Sequence, residues 1–205
     1  MQNAPVDNRV ELMDRALELF AAYGYDGVGV QQICQAAAVT KPTLYHYFCN
    51  KRGLLETLLK HRFEELLSPL RELSKTEVDL AGTLERAASI VFAFARKNPS
   101  FYRLYLALWF APTQSEGREV ASRFHALHFE ALEAVCGAAM RAEPGLRPRV
   151  RALTASFLGM LNNTIGLALN NHGALNDRVA YAVVDQFLHG ILQRPAAVGR
   201  SEQRR

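Results

Sequence analysis

VTKPTLYHYFCNKRGLL, Val39 to Leu55, sets three aromatic residues and a histidine beside one proline and three basic residues, with no acidic residue among them. On a helix turning about 100° per residue, Leu44 and Phe48 fall on one side, while Pro42, Thr43, Tyr45 and His46 fall on the opposite or flanking sides. Thr40 stands in the capping position and Pro42 in the first turn, where a missing backbone N–H costs nothing. Asn50 opens the next helix in the same way, and its Leu54, Leu55, Leu58, Leu59 and Phe63 keep helical spacing to about Leu67. The first of these two helices is thus half core and half display.

Upstream, Val10, Met13, Leu17 and Phe20 line one face of a helix that stops near Gly24, where a residue without Cβ can turn left-handed. After the turn YDGVG, a short helix VQQICQAA from Val30 presents Val30, Ile33 and Ala37 on one side, with Gly29 in the capping position. Two short helices joined by a tight turn, the second showing small and hydrogen-bonding side chains, form the layout of a helix-turn-helix whose second helix enters the major groove. Thr43 can then hydrogen-bond a base or touch a thymine methyl, Lys41 can donate to guanine or phosphate, and Gln31 can pair with adenine. Tyr45, His46 and Tyr47 can donate to phosphate oxygens, which fixes register. Thr40 and Pro42 share the same first turn, and Lys51 adds its charge to a helix N-terminus as a phosphate contact.

Downstream, Ser68 and Pro69 predict a break or kink. Longer helical patterns follow over roughly 79–97, 99–110, 115–141, 146–171 and 176–193, separated by breakers at 111–113, 143–145 and 172–173. No sustained alternation argues for a sheet, so the class is all-α, with three or four short N-terminal helices and about five longer ones.

Apolar content of 49% with mixed charge fits a globular chain, and no uninterrupted apolar run reaches the roughly 18 residues of a bilayer-spanning helix. The start, MQNAPVDNRVELMDR, lacks the basic and apolar segments of a secretory signal, which predicts a cytoplasmic location and no membrane partner. The net charge of +4 belongs mostly to the end of the chain, where RPAAVGRSEQRR carries four Arg against one Glu, while residues 1–60 balance. Residues 196–205 are read as a basic, disordered tail. Cys34, Cys49 and Cys136 are too few and too scattered for a disulfide framework or zinc site, and read as unpaired thiols, with redox sensing by Cys49 left open.

GYDGVGVQQICQAAAVTKPTLYHYFCNKRGLLETLL, Gly24 to Leu59, resembles the N-terminal signature of the TetR family of transcriptional repressors (TetR/AcrR type). The family shows a glycine-aromatic turn, an Ile-x-x-x-Ala helix, T-L-Y-x-Y-F and an N-K-x-x-L-L segment in this order. The likeness spans roughly residues 8–60. It implies a helix-turn-helix DNA-binding domain over 1–50, a linking fourth helix over 51–67, and a helical ligand-binding and dimerisation domain over 68–195. It also implies a homodimer through the last two long helices and a repressor released from a palindromic DNA operator by a small molecule. Three positions depart from the family pattern. Gly29 replaces a capping Ser or Thr, Ala38 replaces a turn glycine and would be strained at positive φ, and Cys34 replaces a small buried Ala.

FYRLYLALWF and RFHALHFEAL concentrate aromatic and amphipathic residues in the middle helices. Tyr105, Trp109, Phe124, His128 and Asn162 are the candidates for the wall of a pocket holding an apolar or amphipathic ligand, against the alternative that they pack the core. His125 and His128 lack a clear third metal ligand. GYDGVG is not set between a strand and a helix, and neither G-x-S-x-G nor H-E-x-x-H occurs, so no catalytic residue, metal or cofactor is predicted. Two other readings stay open: a ligand-independent DNA-binding module with a filled pocket, and a helical enzyme with a vestigial helix-turn-helix.

Overall fold

The computed structural model describes residues 8–76 and 79–190. Among the described residues there are nine α-helices: α1 (Asn8–Tyr23), α2 (Val30–Ala36), α3 (Lys41–Phe48), α4 (Lys51–Leu73), α5 (Leu80–Lys97), α6 (Pro99–Trp109), α7 (Glu116–Ala139), α8 (Val150–Leu169) and α9 (Asp177–His189). A 3-10 turn, Arg147–Arg149, leads into α8. The expected basic tail at 196–205, and the last residues expected for the final helix, lie outside the described residues.

The first three helices close around Leu12, Phe20, Ile33 and Leu44, all fully buried. Gly24 ends α1 at φ +74°. α2 ends in a Schellman motif: Val39 N–H donates to Cys34 O at 3.0 Å and Ala38 N–H to Gln35 O at 3.2 Å. Ala38 sits at the left-handed position of that motif with φ +53°. The turn from α3 to α4 is tighter still, with Asn50 N–H donating to Phe48 O at 2.7 Å across Cys49, at φ 62° and ψ −42°. This is a γ-turn of the strained hand. Asn50 Oδ1 accepts from Gly53 N–H at 2.8 Å, the expected cap, and a Cβ on Gly53 would stand 2.1 Å from Phe48 O.

Of the break or kink expected at Ser68 and Pro69, the break does not occur, because α4 runs through Pro69 to Leu73. Ser68 and Pro69 face solvent, while Leu66, Leu67, Leu70 and Leu73 are buried on the other side. Burial of that apolar stripe outweighs the hydrogen bond that Pro69 cannot make. The expected boundary after residue 67 therefore falls inside a continuous helix.

α4 makes its most extensive contact with α7, and α5 packs on α9. The segment Arg147–Leu169 is by length and composition apolar enough to cross a membrane, and its most apolar window is only 28% buried within the chain. Thr154, Asn162, Asn163 and Thr164 interrupt it.

Candidate nucleic-acid interface and ligand groove

α3 divides as its periodicity predicts. Leu44 and Phe48 are buried, whereas Lys41, Pro42, Tyr45, His46 and Tyr47 are exposed and Thr43 is half-buried. Tyr45 and Tyr47 are 45% and 38% exposed, so they are not core aromatics. The His46 and Tyr47 rings meet edge to face with centroids 5.2 Å apart. Gln31, in the first turn of α2, is exposed as well. Thr40 occupies the cap position of α3, but its hydroxyl makes no bond to a backbone N–H and instead lies 2.9 Å from the Thr43 hydroxyl. One of the two N–H groups that a cap would satisfy is missing at Pro42.

The three basic residues of the opening stretch have different employment. Lys41 is exposed at the start of α3. Lys51 turns inward: its Nζ donates to Tyr25 O at 3.1 Å and Val28 O at 3.0 Å, and lies 4.1 Å from the centre of the Tyr25 ring. The phosphate contact expected of Lys51 is thus not what this geometry displays; burial of two carbonyls in the α1–α2 turn attracts the ammonium instead. Arg52 pairs with Glu119 of α7 at 2.9 Å. Gly29 N–H, at the start of α2, is engaged by Gln32 Oε1 at 2.7 Å.

In the larger half of the chain, Tyr105, Phe124 and His128 are buried in a filled core rather than walling an opening. Phe63 of α4 gathers them: it stacks on Phe124 at 5.4 Å and meets Tyr105 edge-on at 5.6 Å. Tyr105 OH and His128 Nδ1 lie 3.1 Å apart, and His125 Nε2 is 3.3 Å from the Tyr105 carbonyl. Burial pushes both histidines down to about 4, so they are neutral. Tyr102 OH donates to Asn162 Oδ1 at 2.7 Å. Among the described residues no cluster of three His, Cys, Asp or Glu could hold a metal.

The open space lies just outside this core. A cavity of about 890 Å³ runs between α6, α7 and α8, bounded by Leu106, Trp109, Phe110, Leu158, Gly159 and Asn162 among others. A second, of about 520 Å³, adjoins it over Arg118, Ser122, His125 and Glu130. Trp109, Phe129 and Arg151 border both. Of the five residues expected to wall a pocket, Trp109 and Asn162 do so; the other three were taken by ring packing, the default for a helical aromatic stripe. Phe129 and Arg151 carried no signal in the sequence, since nothing local shows that α7 and α8 leave a gap there.

Residues 12–58 match the model of the bacterial regulatory proteins of the tetR family. This is a TetR-family DNA-binding domain. Over 98 residues the chain is 32% identical to the HTH-type transcriptional activator FasR of Mycolicibacterium smegmatis, covering 48% of this chain and 45% of that protein. Over 97 residues it is 34% identical to the HTH-type transcriptional repressor KstR2 of Rhodococcus jostii, covering 47% and 48%. The match thus spans about half the length of these curated relatives. The fold is shared with the TetR-family transcriptional regulator PfmR of Thermus thermophilus over 91% of this chain and 98% of that one, at a TM-score of 0.70 and 22% identity. It is shared also with the transcriptional regulator FadR of Bacillus subtilis in complex with stearoyl-CoA, over 89% and 99%, at a TM-score of 0.75 and 21% identity.

The TetR-family domain meets the remaining helices where α1 packs on α6 and at the N-terminal half of α7. Tyr25 OH donates to the Glu116 carboxylate, Arg52 pairs with Glu119, and Arg123 Nη2 lies 3.5 Å from Glu56 Oε1. Burial and the Glu116 carboxylate together raise the Tyr25 hydroxyl well above the usual tyrosine range. Cys34 is buried among the TetR-family helices, and Cys49 is exposed.

Proposed function

We propose that the chain is a sequence-specific transcriptional regulator, a homodimeric repressor that leaves a palindromic operator when a small molecule occupies its C-terminal helices. The observation that carries this is the division of α3: Leu44 and Phe48 anchor it, and Lys41, Pro42, Thr43, Tyr45, His46 and Tyr47 form its outer surface beside Gln31 of α2. Thr43 and Gln31 read base edges, and Lys41 donates to guanine and to a phosphate; Tyr45, His46 and Tyr47 donate to phosphates, with Thr40 holding the first turn through Thr43. Lys51 serves the interface indirectly, by holding the α1–α2 turn against α4.

The dimer forms through α8 and α9. Leu167 of α8 is 46% exposed and Tyr181 of α9 58%, apolar surface that a second copy would cover. A two-fold pair presents its α3 helices one DNA turn apart, hence a palindrome. A regulator of this kind works in the cytoplasm, with no membrane partner and no catalytic step. The Bacillus subtilis FadR structure holds stearoyl-CoA in the same fold, which supports a small-molecule effector here.

Selection of bound sequences from a random duplex pool by the purified protein tests the reading. A palindromic consensus bound far above random DNA is expected, and its loss on changing Lys41 and Thr43 to Ala. Binding without sequence preference would sink it.

A further inference from the structure

We propose that the trench between α6, α7 and α8 binds an elongated amphipathic anion, its apolar chain along Leu106, Phe110, Leu158 and Gly159 and its acidic head between Arg118 and Arg151. The inference deepens the ligand-responsive reading above and rests on it for its biological sense, though not for its chemistry.

The two cavities adjoin across Trp109, Phe129 and Arg151, which border both, and we take them together as one trench. Its two ends differ in kind. The larger end is walled by Leu106, Phe110, Ala155 and Leu158, and its floor is Gly159 and Gly166 of α8. A Cβ at either glycine would meet nothing within 4 Å, so the space above them is unfilled. The smaller end holds Arg118, Ser122 and Glu130, with Arg151 at the junction. A ligand filling both must carry an apolar body and a polar head.

The sign of the head follows from the cations. Arg118 is anchored by Nη1 on the Ala111 carbonyl at 2.9 Å, which fixes the guanidinium and leaves its other N–H groups for a ligand. Arg151 lies over the Phe129 ring at 4.9 Å and reaches Glu133 at 3.3 Å, with 77% of its side chain exposed. An exposed pair of this kind holds weakly and yields to a better-placed carboxylate or phosphate. His125, also on this wall, is neutral and adds no charge. Glu130 is the only carboxylate bordering the trench among the described residues, against two arginines.

Trp109 makes the proposal measurable: it is the single tryptophan of the chain, is 45% exposed, and borders both cavities. The experiment is a titration of Trp109 fluorescence in the full chain with four probes of one chain length: dodecanoate, dodecanoyl-CoA, 1-dodecanol and dodecyltrimethylammonium. A saturable change is expected with the anions and weaker binding, by at least about tenfold, for the alcohol, as expected on losing a charge-assisted pair. Comparing dodecanoate with dodecanoyl-CoA tells a free acid from a phosphate-bearing thioester. R118Q with R151Q should abolish the preference for anions while leaving dodecanol binding unchanged. Gly159→Phe should block every probe at an unchanged thermal midpoint, because its side chain points into empty space.

Equal binding of all four heads, anion binding indifferent to the arginines, or no saturable change overturns the proposal. So does dissociation of a dimer by Gly159→Phe in sedimentation, which would make the trench an interface between two copies. Operator affinity is measured separately. A probe that fills the trench and leaves operator binding unchanged sinks the ligand-responsive reading and spares the site. A compound that releases operator with Trp109 silent does the reverse.

Discussion

Tyr25, in the turn between α1 and α2, and Gly117, in the first turn of α7, touch so closely that a Cβ on Gly117 would stand 2.7 Å from Tyr25 Cδ1 and 2.8 Å from Leu108 Cδ2. The Lys51 ammonium lies 4.1 Å from the centre of the same ring, and Glu116 accepts from its hydroxyl. Two parts of the molecule that are far apart in the chain meet here with no room between them.

Gly117→Ala therefore sets two effects against each other. Helix propensity favours alanine by about 1 kcal/mol, but overpacking against a ring that is 3% exposed costs about 1–3 kcal/mol. The clash should win, lowering the midpoint of thermal unfolding and loosening the TetR-family domain against α7. Gly166→Ala in α8, where nothing lies within 4 Å, should change stability with the opposite sign. Equal shifts in the two variants would show that the Tyr25 contact is slack.

At Ala38 the backbone is at φ +53° in a Schellman motif, a conformation that costs a residue with Cβ about 1–2 kcal/mol. Glycine removes that strain and loses part of the gain to the greater freedom of the unfolded chain, about 0.4–1 kcal/mol. Ala38→Gly should raise the urea midpoint by an amount equivalent to roughly 0.5–1 kcal/mol. A lower midpoint would mean the α2–α3 turn is not strained.

Lys41 and Lys51 should separate cleanly. Lys41→Ala is expected to lower the slope of log affinity against log salt by about 0.9, one phosphate contact, at unchanged stability. Lys51→Met removes the ammonium from both carbonyls, leaving Tyr25 O only the Val28 N–H, and should destabilise the fold by about 1–3 kcal/mol with a smaller change in salt slope. Salt-dependent affinity and thermal unfolding of both variants, measured side by side, decide it; the reverse pattern would return Lys51 to the DNA surface.

The buried histidines give a pH dependence. His125 and His128 are held near 4 in the fold against 6.5 unfolded, so the unfolded chain binds more protons in between. Stability is full above about pH 6.5 and is lost as pH falls toward 4. His128→Leu should flatten the fall between pH 6.5 and 5 in urea unfolding, since the group that the unfolded chain would protonate is gone. A slope equal to that of the parent chain would show that His128 is already charged in the fold.

The two faces of α3, the capping of α4 by Asn50 and the all-helical class were legible in the sequence, because each depends on spacing within one helix. Leu44 and Phe48 face inward for the same reason that they stand four apart. The strain at Ala38 was legible only through the resemblance, as an alanine standing where the family has a turn glycine.

What only the tertiary structure decided depends on partners distant in the chain. Pro69 reads as a helix breaker, yet α4 passes through it because Leu66, Leu67, Leu70 and Leu73 are buried on its far side. Lys51 reads as a displayed cation, yet the carbonyls of Tyr25 and Val28 claim it from 26 and 23 positions away. Tyr105, Phe124 and His128 read as a pocket wall and became core around Phe63, which moved the open space outward to Trp109, Arg118 and Arg151. Periodicity assigns a side chain to a face; which neighbour fills the space beyond that face is set by packing between helices, and a single sequence does not carry it.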